Sequence, residues 1–541
     1  MLSSVQNLHG TPTLFINGQP VPGFAYITYR TYNARYDDFA ALGCQLFSMP
    51  VFFGTQTINE GTQIPPMAPG IFDDDVPDYS LFDKDVDRIL AARPDAWIFP
   101  RVNLSLPKKW EDEHPEECCD FGFTERRRAC FSSDAWAEET KRLLGLFIDH
   151  VEASPYREHI VGYQLAGGNT EEWFAFDARG SVGLRFREAF ARICTERGLA
   201  GTEEEQRAFY SEMTARRILE FSAYAKEKTE RRLVIGCFYG YTFEVIEPER
   251  CHHALRLVLE SDDVDFICSP VSYAHLRPVG IDHACMLPVD SLKLHGKLYF
   301  AENDTRTHLS KAPNELPPYN GPIWFGPDPD KTCEIIKMHF ARALTHGHAM
   351  WWFDMWGGWY DDDRYRSLLE RCMEICRDSV TDDRSSTAEV AVFIDERVYA
   401  AHTERVTLPY TIRQALGYLG APYDAYLADD YEAVKDRYKA YIFLRPSGTV
   451  LLDNAIADAG ERGLVIETEN AGIPASDIRA FCLAHGVHIW CDGDAVVYVC
   501  GKYLFVHAKD GIPALHLPAG LRLTGLFENP GMGQLYRMET L

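Results

Sequence analysis

Residues 160 to 173 read IVGYQLAGGNTEEW. Branched, aromatic and aliphatic side chains run to Ala166, stop at two glycines, and are followed at once by Asn169, Glu171, Glu172 and Trp173. So short an apolar run, ending in polar residues, predicts a buried strand with chemistry at its C-terminal end. The pattern recurs along the chain. Before it come GFAYITYR (23–30), CQLFSMP (44–50) and AWIFPRVN (96–103); after it come RLVIGCFYG (232–240), VDFICSPVSY (264–273), KLYFAEND (297–304) and AMWWFDMW (349–356).

Segments of helical period separate these eight runs. Trp136, Leu143, Leu144, Phe147 and Val151 keep one face of a helix apolar between the third and fourth. Ser80 with Asp83, and Thr202 with Glu205, have the spacing of capping boxes at helix starts. Eight strands, each followed by a helix, predict a (β/α)8 TIM barrel over residues 1–385. An open doubly wound sheet would carry a glycine-rich phosphate turn after its first strand, whereas here that strand runs into Thr28, Tyr29 and Arg30. The long loops 52–79 and 107–133 are expected to form functional rims.

Beyond the polar run TDDRSST (381–387) the alternation restarts with AEVAVFID, a helical stretch over 410–419, YKAYIFL, GLVIET and GVHIW. That predicts a small α/β domain over residues 386–495. YLFVHAKDG, PALHLPAG and LTGLFENPG then predict a β-rich C-terminal domain over 496–541.

The chain has 541 residues, 46 % hydrophobic and 25 % charged, with a net charge of −26. That field repels phosphate backbones and anionic lipid, so neither nucleic acid nor a membrane surface is an expected partner. No uninterrupted apolar stretch reaches the roughly 18 residues of a spanning helix. Residues 1–10 do not read as a secretory signal, and the expected location is cytoplasmic. The 15 cysteines are odd in number and scattered through apolar segments, which predicts buried thiols. Cys118, Cys119 and Cys130 share a loop, but adjacent cysteines chelate poorly and no fourth ligand is evident, so no metal or cofactor is expected. His346 and His348 fall at the entering end of the eighth strand, opposite the predicted mouth.

In a barrel, the residues that close each strand face the active site. Here they are Arg101 and Asn103; Asn169, Glu171 and Glu172; Tyr273 and Arg277; Glu302, Asn303, Asp304 and Arg306; and Trp352, Asp354, Trp356 and Trp359. Acids, aromatic faces, amides and guanidinium groups together suit a sugar. Two carboxyls on nonadjacent strands can be held apart in proton affinity, one as acid and one as nucleophile. The plainer alternatives are that Glu171 and Glu172 are first-turn helix acids, and that Glu302, Asp304 and Arg306 form a structural ion pair.

Glutamates after strands four and seven resemble the arrangement of clan A glycoside hydrolases. The order barrel, α/β domain, β domain is similar to that of the family 42 β-galactosidases, whose glutamine-amidotransferase-like domain helps build a trimer. The resemblance implies a retaining exo-β-glycosidase acting on an oligosaccharide or other β-glycoside, a β-galactosidase in the first instance and a β-mannosidase of the same clan in the second. It implies Glu302 as nucleophile and a homotrimer. The family pattern after strand four is Gln, then Asn-Glu-aromatic; here Gln164 is followed by LAGGNTEEW, which leaves Glu171 and Glu172 as acid/base candidates, with Trp173 favouring Glu172. Arg101, Asn103, Asn169, Glu171, Tyr273, Arg277, Asp354 and Trp356 are expected to hold sugar hydroxyls. Tyr273 is expected to hydrogen-bond Glu302, and Asp354 to pair with Arg101 or Arg306. A reading of another class is a carbohydrate-binding or assembly protein that keeps the barrel without catalysis.

Overall fold

The first run forms strand β1 (Phe24–Ile27), fully buried and paired in parallel with the last strand of its sheet, β8 (Ala349–Phe353). The computed structural model describes residues 1–57, 67–120, 127–175, 182–245, 250–273, 277–310, 326–401, 408–447 and 449–541, so 58–66 and 121–126 of the two long loops lie outside the described residues. Two of the predicted strands are broken in the middle. β2 comprises Leu46–Phe47 and Pro50–Phe52, and β3 comprises Trp97–Ile98 and Arg101–Asn103. Pro50 and Pro100 stand at or beside the breaks, where the lack of an amide donor interrupts the ladder.

The remaining strands are β4 (Gly162–Ala166), β5 (Val234–Phe238), β6 (Phe266–Pro270) and β7 (Leu298–Asn303). All pairs in this sheet are parallel, and the order runs continuously from β1 through β2, β3, β4, β5, β6 and β7 to β8 and back to β1. The sheet is therefore a closed (β/α)8 barrel. Its register sets Gln164 beside Arg101 and Glu302 beside Trp351 at the C-terminal end.

Helix Asp134–Ala153 buries Trp136, Leu143, Leu144, Phe147 and Val151, the face read from the sequence. Each such side chain contributes about 1.5–3 kcal/mol on leaving water. Thr202 and Glu205 form the expected capping box of helix Glu203–Lys228. Ser80 and Asp83 do not: Ser80 is the first helical residue, its amide donates to Asp78, and Asp83 instead accepts from Tyr156 and His150. An antiparallel sheet of Ser3–Leu8, Thr11–Ile16 and Gln19–Pro20, not anticipated from the sequence, precedes the barrel.

After the barrel come four parallel strands, β9 (Val390–Ile394), β10 (Tyr423–Leu427), β11 (Ala440–Leu444) and β12 (Gly463–Ile466), in the order β10-β9-β11-β12. GVHIW is not a strand, and β10, which the sequence reading passed over, takes the edge instead. Four antiparallel strands follow, β13 (Val496–Val499), β14 (Tyr503–His507), β15 (Leu521–Gly525) and β16 (Gly533–Thr540), ordered β13-β14-β16-β15. PALHLPAG, with its two prolines, is not a strand, and β16 supplies the pairing instead.

Both modules dock on barrel helices. The carboxylate of Asp290 and the hydroxyl of Ser291, on helix Val289–Leu294, accept from the amides of Ala425 and Leu427 in β10. Arg342, on helix Pro329–His346, donates to Tyr498 Oη in β13 at 2.9 Å.

Candidate active site

The C-terminal end of the barrel gathers three carboxyls about one guanidinium. Arg101 leaves β3 inward and is 1 % exposed. Its Nη2 donates to Glu302 Oε2 at 2.6 Å and its Nε to Gln164 Oε1 at 3.0 Å, while Nη1 lies 3.4 Å from Tyr29 Oη and 3.9 Å from Glu171 Oε2. The rings of Phe238, Trp351 and Phe353 pack around it, 4.8, 5.2 and 5.2 Å from Cζ. In such surroundings a charge persists only when paired.

Glu302 closes β7 and also accepts from Trp351 Nε1 at 3.2 Å. Burial raises its proton affinity, and the adjacent Arg101 charge opposes that rise.

Glu171 and Glu172 sit on a contorted turn. Gly168, Thr170, Glu171 and Trp173 all have positive φ, at 68°, 60°, 65° and 61°. Side chains other than glycine are rarely held in that region without compensation from their surroundings. Gly168 is obligatory, since a Cβ there would lie 2.5 Å from the carbonyl of Phe174. Trp173 is fully buried, and its indole Nε1 and backbone amide donate to Leu165 and Gly167, anchoring the turn to β4. The turn sends its two acids to different places. Glu171 is fully buried and accepts from Asn103 Nδ2 at 2.9 Å. Glu172 is half-buried, its Oε1 accepts from Tyr241 Oη at 2.8 Å, and its backbone carbonyl accepts from His252 Nε2 at 2.7 Å. Burial first, then the Glu302 charge, pushes the Glu172 carboxyl up to about 7.

Other expected residues take different partners. Tyr273 Oη donates to Asp304 at 2.7 Å rather than to Glu302. Asp304 is fully buried and is also engaged by Arg277 and, at 2.5 Å, by Arg306. Burial acts to raise Asp304, but the two guanidinium charges hold it below the usual carboxylate range. The structural ion pair after β7 is thus built on Asp304, and Glu302 belongs to Arg101. Asp354 pairs with neither Arg101 nor Arg306. It accepts from Tyr26 Oη at 2.9 Å and from the amides of Gly358 and Trp359 at 2.9 and 2.7 Å, which pins the loop after β8. Asn103 also accepts the amide of Ser105, Asn169 is 4 % exposed, and Trp356 is buried with Arg30 5.5 Å above its ring.

Tyr29, Gln164, Tyr241, His252 and Trp351 join the site without having been expected there. Gln164 and Trp351 lie inside their runs rather than at the ends. Tyr241 follows FYG after β5, a run for which no closing polar residue was named; the tyrosine was the available signal.

Cys118, Cys119 and Cys130 donate their thiols to backbone carbonyls. Among the described residues no group of three or more His, Cys, Asp or Glu is placed to hold a metal ion, and no helix is long and apolar enough to cross a membrane.

No protein-family model matches the chain, and no curated protein matches it in sequence. Solved structures match it in fold. A β-galactosidase from the psychrophilic Marinomonas ef1 superposes with a TM-score of 0.64 at 12 % identity, over 96 % of this chain and 100 % of that one. A β-galactosidase from Bacillus circulans sp. alkalophilus gives 0.61 at 12 % identity, over 96 % and 98 %. A catalytic mutant of a GH42 β-galactosidase from G. stearothermophilus gives 0.51 at 11 % identity, over 82 % and 71 %. The fold is that of these multidomain TIM-barrel glycoside hydrolases, here with very different side chains.

Proposed function

We propose that the chain is a retaining exo-β-glycosidase, with a terminal β-galactoside as its first candidate substrate. One observation carries the reading: two carboxyls, following the nonadjacent strands β4 and β7, have different surroundings, although burial raises the proton affinity of both. Glu302 lies against Arg101 and Trp351, and Glu172 is pushed up to about 7 by burial and by the Glu302 charge. That is the division retaining hydrolysis requires, with the carboxyls of such pairs typically about 5–5.5 Å apart. Glu302 attacks the anomeric carbon as the glycosidic C–O bond breaks, and Glu172 gives its proton to the departing oxygen. Glu172 then takes a proton from water as that water displaces Glu302 from the sugar. Arg101 opposes the rise that burial gives the proton affinity of Glu302, and Glu171 with Asn103 stands beside it.

The β-galactosidases of like fold support galactose as the first sugar to try. We assign residues 1–385 to catalysis, 386–495 to assembly of a homotrimer and 496–541 to a β domain. The compartment we assign is the cytoplasm, which keeps thiols reduced. A screen of nitrophenyl β-galactoside, mannoside, glucoside and fucoside tests the activity. Turnover of one of them, abolished in Glu302→Ala, is expected, and near-normal activity in that variant would overturn the assignment. Light scattering tests the trimer.

A further inference from the structure

Two residues fix Glu172 from the segment after β5, Tyr241 at the carboxyl and His252 at the backbone carbonyl. Each is followed directly by a residue that the α/β module holds. Tyr399, just after β9, donates its hydroxyl to the carbonyl of Thr242, and its ring stacks on His253 with centroids 3.9 Å apart and planes 11° from parallel. Glu396 accepts the amides of Leu255 and Arg256 at 2.7 and 3.2 Å. Arg413 pairs with Glu244, whose other oxygen accepts the amide of Tyr273 at 3.2 Å. Tyr399, Glu396 and Arg413 are all buried. Tyr399 thus meets the residue next to each support of Glu172, and Glu396 and Arg413 hold the chain three to four residues from them.

We propose that Tyr399 and Glu396 are positioning residues for the acid/base, so that the α/β module completes the active site of its own chain. The proposal rests on reading Glu172 as that acid/base. Glu172 is faced by Glu302 from β7, Arg101 from β3, Tyr241 from the segment after β5, Tyr29 from the end of the first run and Tyr273 from the segment after β6. Loosening Tyr241 weakens a hydrogen bond to the ionised carboxyl, which favours the protonated form. The alkaline limb of the activity profile then moves to higher pH.

The test compares wild type, Tyr399→Phe, Tyr399→Ala and Glu396→Gln on two glycosides of the accepted sugar. One has a leaving group that needs protonation, such as methanol; the other has 2,4-dinitrophenol, which leaves without it. For the first substrate kcat should fall about 10- to 100-fold in Tyr399→Ala with KM little changed, less in Tyr399→Phe, which keeps the stacked ring. Glu396→Gln, which leaves both Tyr399 contacts in place, should likewise lose less than Tyr399→Ala. On the second, kcat/KM should stay within about twofold of wild type, since its first step needs no acid, while kcat falls with the water-activating step that Glu172 also serves. Equal losses of kcat/KM on both substrates with an unmoved alkaline limb would overturn the proposal. If wild type turns over no β-glycoside, the glycosidase reading fails by itself. Hydrogen exchange then decides the clamp: faster exchange of 239–243 and 251–255 in Tyr399→Ala supports it, and unchanged exchange overturns it.

Discussion

Glu172 ionises near neutrality because burial and a neighbouring carboxylate both disfavour its charge. A carboxyl whose folded pKa stands above its unfolded value of 4.5 adds no cost to folding below that value. As pH rises through about 7 the folded state gives up the proton reluctantly, and stability is lost. Glu172→Gln should therefore raise Tm at pH 8 but not at pH 4.5, while abolishing turnover of poor leaving groups; a scanning calorimeter and an assay check both halves. The alkaline limb of kcat/KM should fall near pH 7 in wild type. Arg101 acts with the opposite sign on Glu302. Arg101→Met leaves the nucleophile buried without its counter-charge, so its proton affinity rises and the acid limb moves upward. Breaking such a buried pair also costs about 3–5 kcal/mol of stability, measurable by urea unfolding. Arg101 and Asn103 were legible as site residues because they close a strand. That they bond Glu302 and Glu171 was not, since strand position says which way a side chain points and nothing about which neighbour meets it.

The turn 167–173 and the loop after β8 show why an element can be located from sequence while its partners are not. LAGGNTEEW announced a break after β4, and the glycines announced unusual backbone. Yet four positive φ angles, three of them at non-glycine residues, are held by the burial of Trp173 and by its bonds to Leu165 and Gly167, which no local pattern reveals. Asp354 has the same lesson in reverse. The acid after the apolar run AMWWF was expected to pair with Arg101 or Arg306, but backbone amides four and five residues later donate to its two oxygens. Asp354→Ala should cost about 2–4 kcal/mol by leaving buried donors unmet, with Tyr26 losing its acceptor as well. Chemical denaturation reads the loss, and an unchanged midpoint would show that the loop holds itself.

At the scale of the whole molecule, the eight polar-ended runs were enough to predict a barrel because a parallel strand buried on both faces has a plain signature. The second and third modules were visible as alternations, but their edge strands were mistaken. β10 and β16 took places assigned to GVHIW and PALHLPAG, because which strand pairs with which is decided by long-range packing. The docking surfaces were invisible for the same reason. Phe340 on helix Pro329–His346 meets Phe527, and Lys337 beside it donates to the carbonyl of Asn529 at 2.6 Å. A chain ending at residue 385 would expose that helix. It should bind hydrophobic dyes or precipitate, whereas the full chain should do neither.

The most direct test of a double displacement is capture of the glycosyl-enzyme. The protein is incubated with the 2-deoxy-2-fluoro derivative of whichever β-glycoside it accepts, digested with trypsin and examined by mass spectrometry. A fluoroglycosyl label on Glu302, within the peptide LYFAENDTR (298–306), is the predicted result. A label carried by another residue, or release of sugar with inverted anomeric configuration, would contradict it.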